Sequence, residues 1–102
     1  MLNTAQRIDI LEAYNFVGAS KFYRLLLSNG IKQLVEYEEG MIKPELQYLD
    51  IADRLLTSFR QEKQSIYLEL SKLFRQAAHK IYRIANQVGI SPANKRFLQL
   101  VV

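Results

Sequence analysis

The chain has 102 residues, with 14 Lys and Arg against 10 Asp and Glu, one His, no Cys and no Trp. That length suits one helical domain spanning 1–102, and a composition of 49% apolar and 24% charged residues can bury a core. The missing cysteines exclude a disulfide framework, a thiolate metal site and a Cys nucleophile, and the single His excludes a His-His metal motif within one subunit.

Apolar runs such as Leu25-Leu26-Leu27 fall far short of the ~20 residues of a membrane span. Met1-Leu2-Asn3-Thr4 lacks the basic-then-apolar order of a secretory signal, so a cytoplasmic protein without membrane contact is expected. The charge is unevenly placed. All ten acids lie in residues 1–69, together with eight bases, whereas residues 70–102 carry Lys72, Arg75, Lys80, Arg83, Lys95 and Arg96 and no acid. A one-sided positive field of this kind favours a phosphate backbone, an anionic surface or an acidic protein.

In chain order, Asn3 or Thr4 can cap a first helix, in which Ile8, Leu11, Tyr14 and Val17 recur at helical spacing. Gly18 marks either a close helix contact or a break, with Ser20 capping a second piece that holds Phe22, Leu25 and Leu26. Ser28-Asn29-Gly30 is expected to end that piece, because Asn and Gly tolerate the left-handed conformation of a helix stop. Residues 31–41 read either as a short helix or as a partly extended connection bearing the acidic cluster Glu36, Glu38 and Glu39.

Pro44 suits the first turn of the next helix, whose apolar face is Leu46, Leu49, Ala52, Leu55, Leu56 and Phe59. No Gly or Pro separates Glu45 from Val88, yet the turn Gln61-Glu62-Lys63-Gln64 has no apolar residue. Either the chain breaks near Ser65 or one helix of about 65 Å runs through. The break is favoured, since a small domain needs antiparallel neighbours to bury these faces. From Ile66 to Val88 the stripe Ile66, Leu70, Leu73, Ala77, Ile81, Ile84 and Val88 predicts a long amphipathic helix with Lys72, Arg75, Lys80 and Arg83 opposite. Gly89 should stop it, and Ser91-Pro92 should open a short terminal helix. The expected fold is all-α, a small bundle of three to four helices with one long helix in the C-terminal half.

The basic face of the 66–88 helix is the strongest functional lead, because phosphate contact needs cations projecting together from a rigid element. Its candidate nucleic-acid contacts are Lys72, Arg75, Lys80 and Arg83, extended by Lys95 and Arg96, with Tyr67, Tyr82 and Phe97 near enough to stack. The competing reading is a solvated helix face. A helix-turn-helix around Gly30 is disfavoured, since Leu26 stands where a small residue belongs and acids follow where bases should. Glu45, Asp50 and Asp53 could ligate a cation, with Glu36–Glu39 as second donor, but exposed acids near a helix start explain them more simply. His79 reads as a surface or boundary residue. No metal site, cofactor or catalytic constellation is expected, so the chain reads as a non-enzyme. Tyr14, Tyr23, Tyr37 and Tyr48 suit either a subunit interface or the edge of the core.

The segment Ile84-Ala85-Asn86-Gln87-Val88-Gly89-Ile90-Ser91-Pro92-Ala93-Asn94-Lys95-Arg96-Phe97 resembles the tail of one family of phage terminase small subunits. There a helix runs into an aliphatic-Gly-aliphatic-Ser/Thr-Pro step followed by a basic and an aliphatic residue. Gly89, Ile90, Ser91, Pro92, Arg96 and Leu98 approximate that step, and the helix running into Gly30-Ile31 is loosely similar to the family's earlier part. The resemblance covers about a third of the chain. It implies a non-enzymatic packaging component that assembles into rings, binds double-stranded DNA and recruits a large catalytic subunit. The alternative from the residues alone is a helical interaction module, or adaptor, whose basic helix meets an acidic protein.

Overall fold

The computed structural model describes residues 3–88, and they form four helices: α1 (Thr4–Val17), α2 (Ala19–Val35), α3 (Pro44–Glu62) and α4 (Ser65–Val88). The fold is the expected small all-α bundle. Among the described residues no helix is long and apolar enough to cross a membrane.

Helices α2, α3 and α4 run up, down and up around one core. The Phe22 ring meets Phe74 edge-on at 5.9 Å, and Gly30 lies against Ile81, which makes α2 and α4 parallel. Buried Ser71 donates to the Ala52 carbonyl at 2.7 Å, while Leu46 and Leu49 face Ala78 and Tyr82, which makes α3 and α4 antiparallel. That last pair shares the most extensive contact in the molecule. On α4 the buried residues are Tyr67, Leu70, Ser71, Phe74, Ala77, Ala78 and Ile81, a seven-residue repeat of the kind that keeps one seam facing its partners. On α2 the buried row is Phe22, Leu26, Gly30 and Leu34.

Three boundaries follow local chemistry. Asn3 caps α1 through a capping box, its side chain accepting from the Gln6 N–H at 2.8 Å. Gly18 is a break: its φ of 83° is a conformation open to glycine, its N–H donates to the Tyr14 carbonyl, and its own carbonyl accepts from Phe22. Pro44 occupies the first turn of α3. The chain also breaks between α3 and α4, where Lys63 takes the left-handed conformation at φ 57° and donates its N–H to the Phe59 carbonyl.

Two expectations fail here. Ser20 caps nothing, since it lies inside α2 and the helix has no side-chain cap. More consequentially, Ser28-Asn29-Gly30 does not end α2, which continues to Val35. Gly30 serves packing instead. A Cβ at this position would collide with Ile81 Cδ1 and stand 3.5 Å from the Tyr48 ring. The same continuity leaves no turn at Gly30 for a helix-turn-helix. The acidic cluster falls on residues 36–43, the turn joining α2 to α3. Gly89, the Ser91-Pro92 step, Lys95, Arg96 and Phe97 lie outside the described residues, as does the rest of the segment carrying the terminase resemblance beyond Val88.

Candidate nucleic-acid interface

Helix α4 buries one seam and turns the opposite side outward, so its polar residues project together. Lys72, Gln76 and Lys80 form one row at four-residue spacing, and Arg75, His79 and Arg83 form a second row beside it. All six side chains are exposed. From Lys72 to Arg83 the face extends about 16 Å along the axis.

The four cations differ in their surroundings. Arg75 Nη2 lies 3.6 Å from Asp53 Oδ1 of α3, so part of its field is spent within the protein. Among the described residues no ion pair involves Lys72, Lys80 or Arg83. Lys80 and Arg83 join Gln76, His79 and Tyr23 of α2 in lining an open groove of about 300 Å³ between α2 and α4. The groove offers two cations, an amide, an imidazole and a phenol at one place, and each of them carries a hydrogen-bond donor for phosphate oxygens.

Sequence reasoning located the four α4 cations on the outward face but missed Tyr23, Gln76 and His79, which only the packing of α2 beside α4 brings to the groove. A four-residue step linking Gln76 to Lys80 and Lys72 was the available signal. One aromatic assignment changes, and one open alternative closes. Tyr67 is buried against α3, where burial first, then a hydrogen bond to Glu62 and its charge, push its phenol up, so it cannot stack on a base. Tyr48 belongs to the core and not to a subunit interface: its hydroxyl donates to the Leu26 carbonyl at 2.8 Å. Burial pushes its pKa up to about 12. Tyr14 packs edge-on against Phe22, and a hydrogen bond to Glu69, then burial and the Glu69 charge, raise its pKa.

The acids do not converge. Asp50 pairs with Arg54 at 3.0 Å, Asp53 faces Arg75, and Glu45 is buried at the start of α3. No three His, Asp or Glu side chains among the described residues gather in a way that could hold a metal ion.

The chain matches no family model, no curated protein and no solved structure.

Proposed function

We propose that the protein is a non-enzymatic DNA-binding assembly protein that rests the outward face of α4 on the phosphate backbone of double-stranded DNA. The observation that carries this reading is the pair of cationic rows on one rigid helix, with Lys80 and Arg83 converging on the groove beside Tyr23. The resemblance to terminase small subunits adds the rest: a homo-oligomeric ring, a role in packaging, and a large partner subunit that supplies the chemistry.

The test is a fluorescence-anisotropy titration with a short duplex across a salt series. Affinity should fall as salt rises, with each phosphate contact contributing about 0.9 to the slope of log K against log salt. Reversing Lys80 and Arg83 to Glu should remove most binding while leaving the fold intact, since both side chains are exposed. Asp53→Asn should strengthen binding by releasing Arg75. Salt-independent binding, or full binding by the reversed variant, refutes the assignment. Light scattering after size exclusion tests the assembly: a ring-sized mass supports it and a monomer removes it.

A second reading, an adaptor for an acidic protein, is favoured by the exposed apolar side chains Met41, Ile42, Leu46 and Tyr82 around the start of α3 and the end of α4. Such side chains suit a protein interface better than a phosphate backbone. Binding to an acidic protein partner together with failure to bind duplex would select it.

A further inference from the structure

A single residue separates α1 from α2. Gly18 stands between Val17 and Ala19 with φ 83° and ψ 168°, a backbone region essentially confined to glycine. A Cβ there would meet no atom within 4 Å, so the backbone alone sets the need for glycine. The bend interrupts a helical ladder that is intact on both sides. The Gly18 N–H donates to the Tyr14 carbonyl, and its carbonyl accepts from the Phe22 N–H. The N–H groups that open α2 have no helical acceptor, and no side chain caps them. A straight helix over residues 4–35 would bond them to the last carbonyls of α1.

Helix α1 is lightly held where it lies. None of its residues is buried, and Ile10, Leu11, Tyr14 and Val17 rest half-buried on the bundle. Phe16, two residues before the bend, is almost wholly exposed. In a straight helix, at about 100° per residue, Ile10, Tyr14 and Val17 point roughly opposite to the buried row of Phe22, Leu26, Gly30 and Leu34. They would leave their own bundle and face outward, while Phe16 would point the same way as Leu34.

We infer that two copies of this chain exchange α1 through this one-residue hinge. In each copy α1 and α2 merge into one helix, and α1 docks on the partner in the place that the partner's own α1 has left. The second copy fits because the docking segment is identical: the Tyr14 edge against Phe22 and the Arg7–Glu62 pair re-form between copies. The straightened backbone and the burial of Phe16 between the two bodies offset the entropy of association. The exchange deepens the assembly part of the proposed function and does not rest on DNA binding.

Gly18→Ala cannot hold the bend but suits the straight helix. It should lower the dimer dissociation constant about tenfold or more, read by light scattering after size exclusion over a concentration series. Phe16→Ser should weaken the dimer severalfold while leaving the urea midpoint of the monomer unchanged, since the side chain is exposed there. Mixing shows whether α1 is what passes between copies. Arg7→Glu and Glu62→Arg each set like charges together within one chain, whereas exchange of α1 between the two variants restores both ion pairs. Native mass spectrometry of the mixture should therefore show mixed dimers in excess of random pairing. The inference is overturned if Gly18→Ala folds and stays monomeric, if Phe16→Ser leaves the dimer unchanged, or if pairing in the mixture is random. Should Gly18→Ala fail to fold, the mixture, which retains Gly18, decides alone, and the lack of any dimer in it overturns the inference. A larger assembly with random pairing overturns the exchange and leaves the assembly reading standing.

Discussion

Helices α1 and α4 invert the usual association between a well-marked helix and a well-anchored one. Helix α1 opens on a capping box closed by Asn3 and Gln6, yet none of its residues is buried and Phe16 is 90% exposed. Helix α4 places seven side chains in the core along one seam. Capping satisfies a few N–H groups and sets where a helix begins, whereas most helical stability comes from tertiary packing of an apolar face. The bundle of α2, α3 and α4 should therefore unfold as one unit, with α1 opening below the global transition.

The largest test of that contrast is truncation of matching leucines. Leu70 is fully buried, so Leu70→Ala should cost about 2–5 kcal/mol in urea unfolding. Leu11→Ala, at a half-buried site on α1, should cost well under half as much. Equal losses would mean that α1 belongs to the same cooperative unit.

High pH separates the two regions next. The Tyr48 phenol is buried and its pKa is pushed up to about 12 from the ordinary 10.0. The folded protein therefore favours the protonated form, so this contribution to stability is complete below pH 10 and is lost as pH rises from 10 to 12. The slope in that window should approach 1.4 kcal/mol per pH unit, a loss of about 2–3 kcal/mol in all. Tyr48→Phe should reduce the slope to the part left by Tyr14 and Tyr67, whose pKa values are also raised, at a cost near 1 kcal/mol at neutral pH for the lost bond to Leu26. If the slope is undiminished in Tyr48→Phe, another group governs it.

A smaller effect is expected at Gly30, where α2 packs against Ile81 of α4. Ala gains about 1 kcal/mol in helix propensity, but the added Cβ collides with Ile81, a fully buried side chain with little room to move. Gly30→Ala should be destabilised by about 1–2 kcal/mol net. Ile81→Val removes the colliding Cδ1, so the double variant should be more stable than Gly30→Ala alone, a positive coupling that thermal unfolding can measure.

Gly30 also shows where sequence reading works and where it stops. Local signals narrowed the first cap to Asn3 or Thr4, gave a break as one of two readings of Gly18, and placed Pro44 at the head of α3, because each depends on a few neighbouring atoms. Gly30 after Ser28-Asn29 carries the same local signature as a helix stop, and nothing nearby reveals Ile81 across the bundle. The stripe from Ile66 to Ile84 found α4 and the side bearing Lys72, Arg75, Lys80 and Arg83. It placed the seam slightly to one side, however: Ile66, Leu73 and Ile84 are half-buried while Tyr67, Phe74 and Ala78 are buried. With apolar residues over so much of the helix between 66 and 74, periodicity alone does not single out the side that meets α3. For the same reason the Asp53 contact to Arg75 and the groove beside Tyr23 were invisible, since both join residues distant along the chain.

The smallest expected effect lies at the foot of α1. Arg7 Nη1 reaches Glu62 Oε1 at 2.7 Å, and Glu62 also helps raise the Tyr67 pKa, so this contact ties α1 to the last residue of α3. Both charged side chains are partly solvated, which limits the pair to about 0.2–1 kcal/mol. Arg7→Met should thus leave the urea midpoint almost unchanged. Because α1 has no buried residue to hold it, the same fraction of a kcal/mol should matter locally: amide exchange in Thr4–Val17 should speed up severalfold while that in Leu70–Ile81 does not move. Added salt should reproduce the effect in the wild type and do nothing further in Arg7→Met. Unchanged exchange in α1 would instead assign its attachment to the Tyr14 edge against Phe22 and the half-buried Leu11 and Val17, making the helix a packed element despite its exposure.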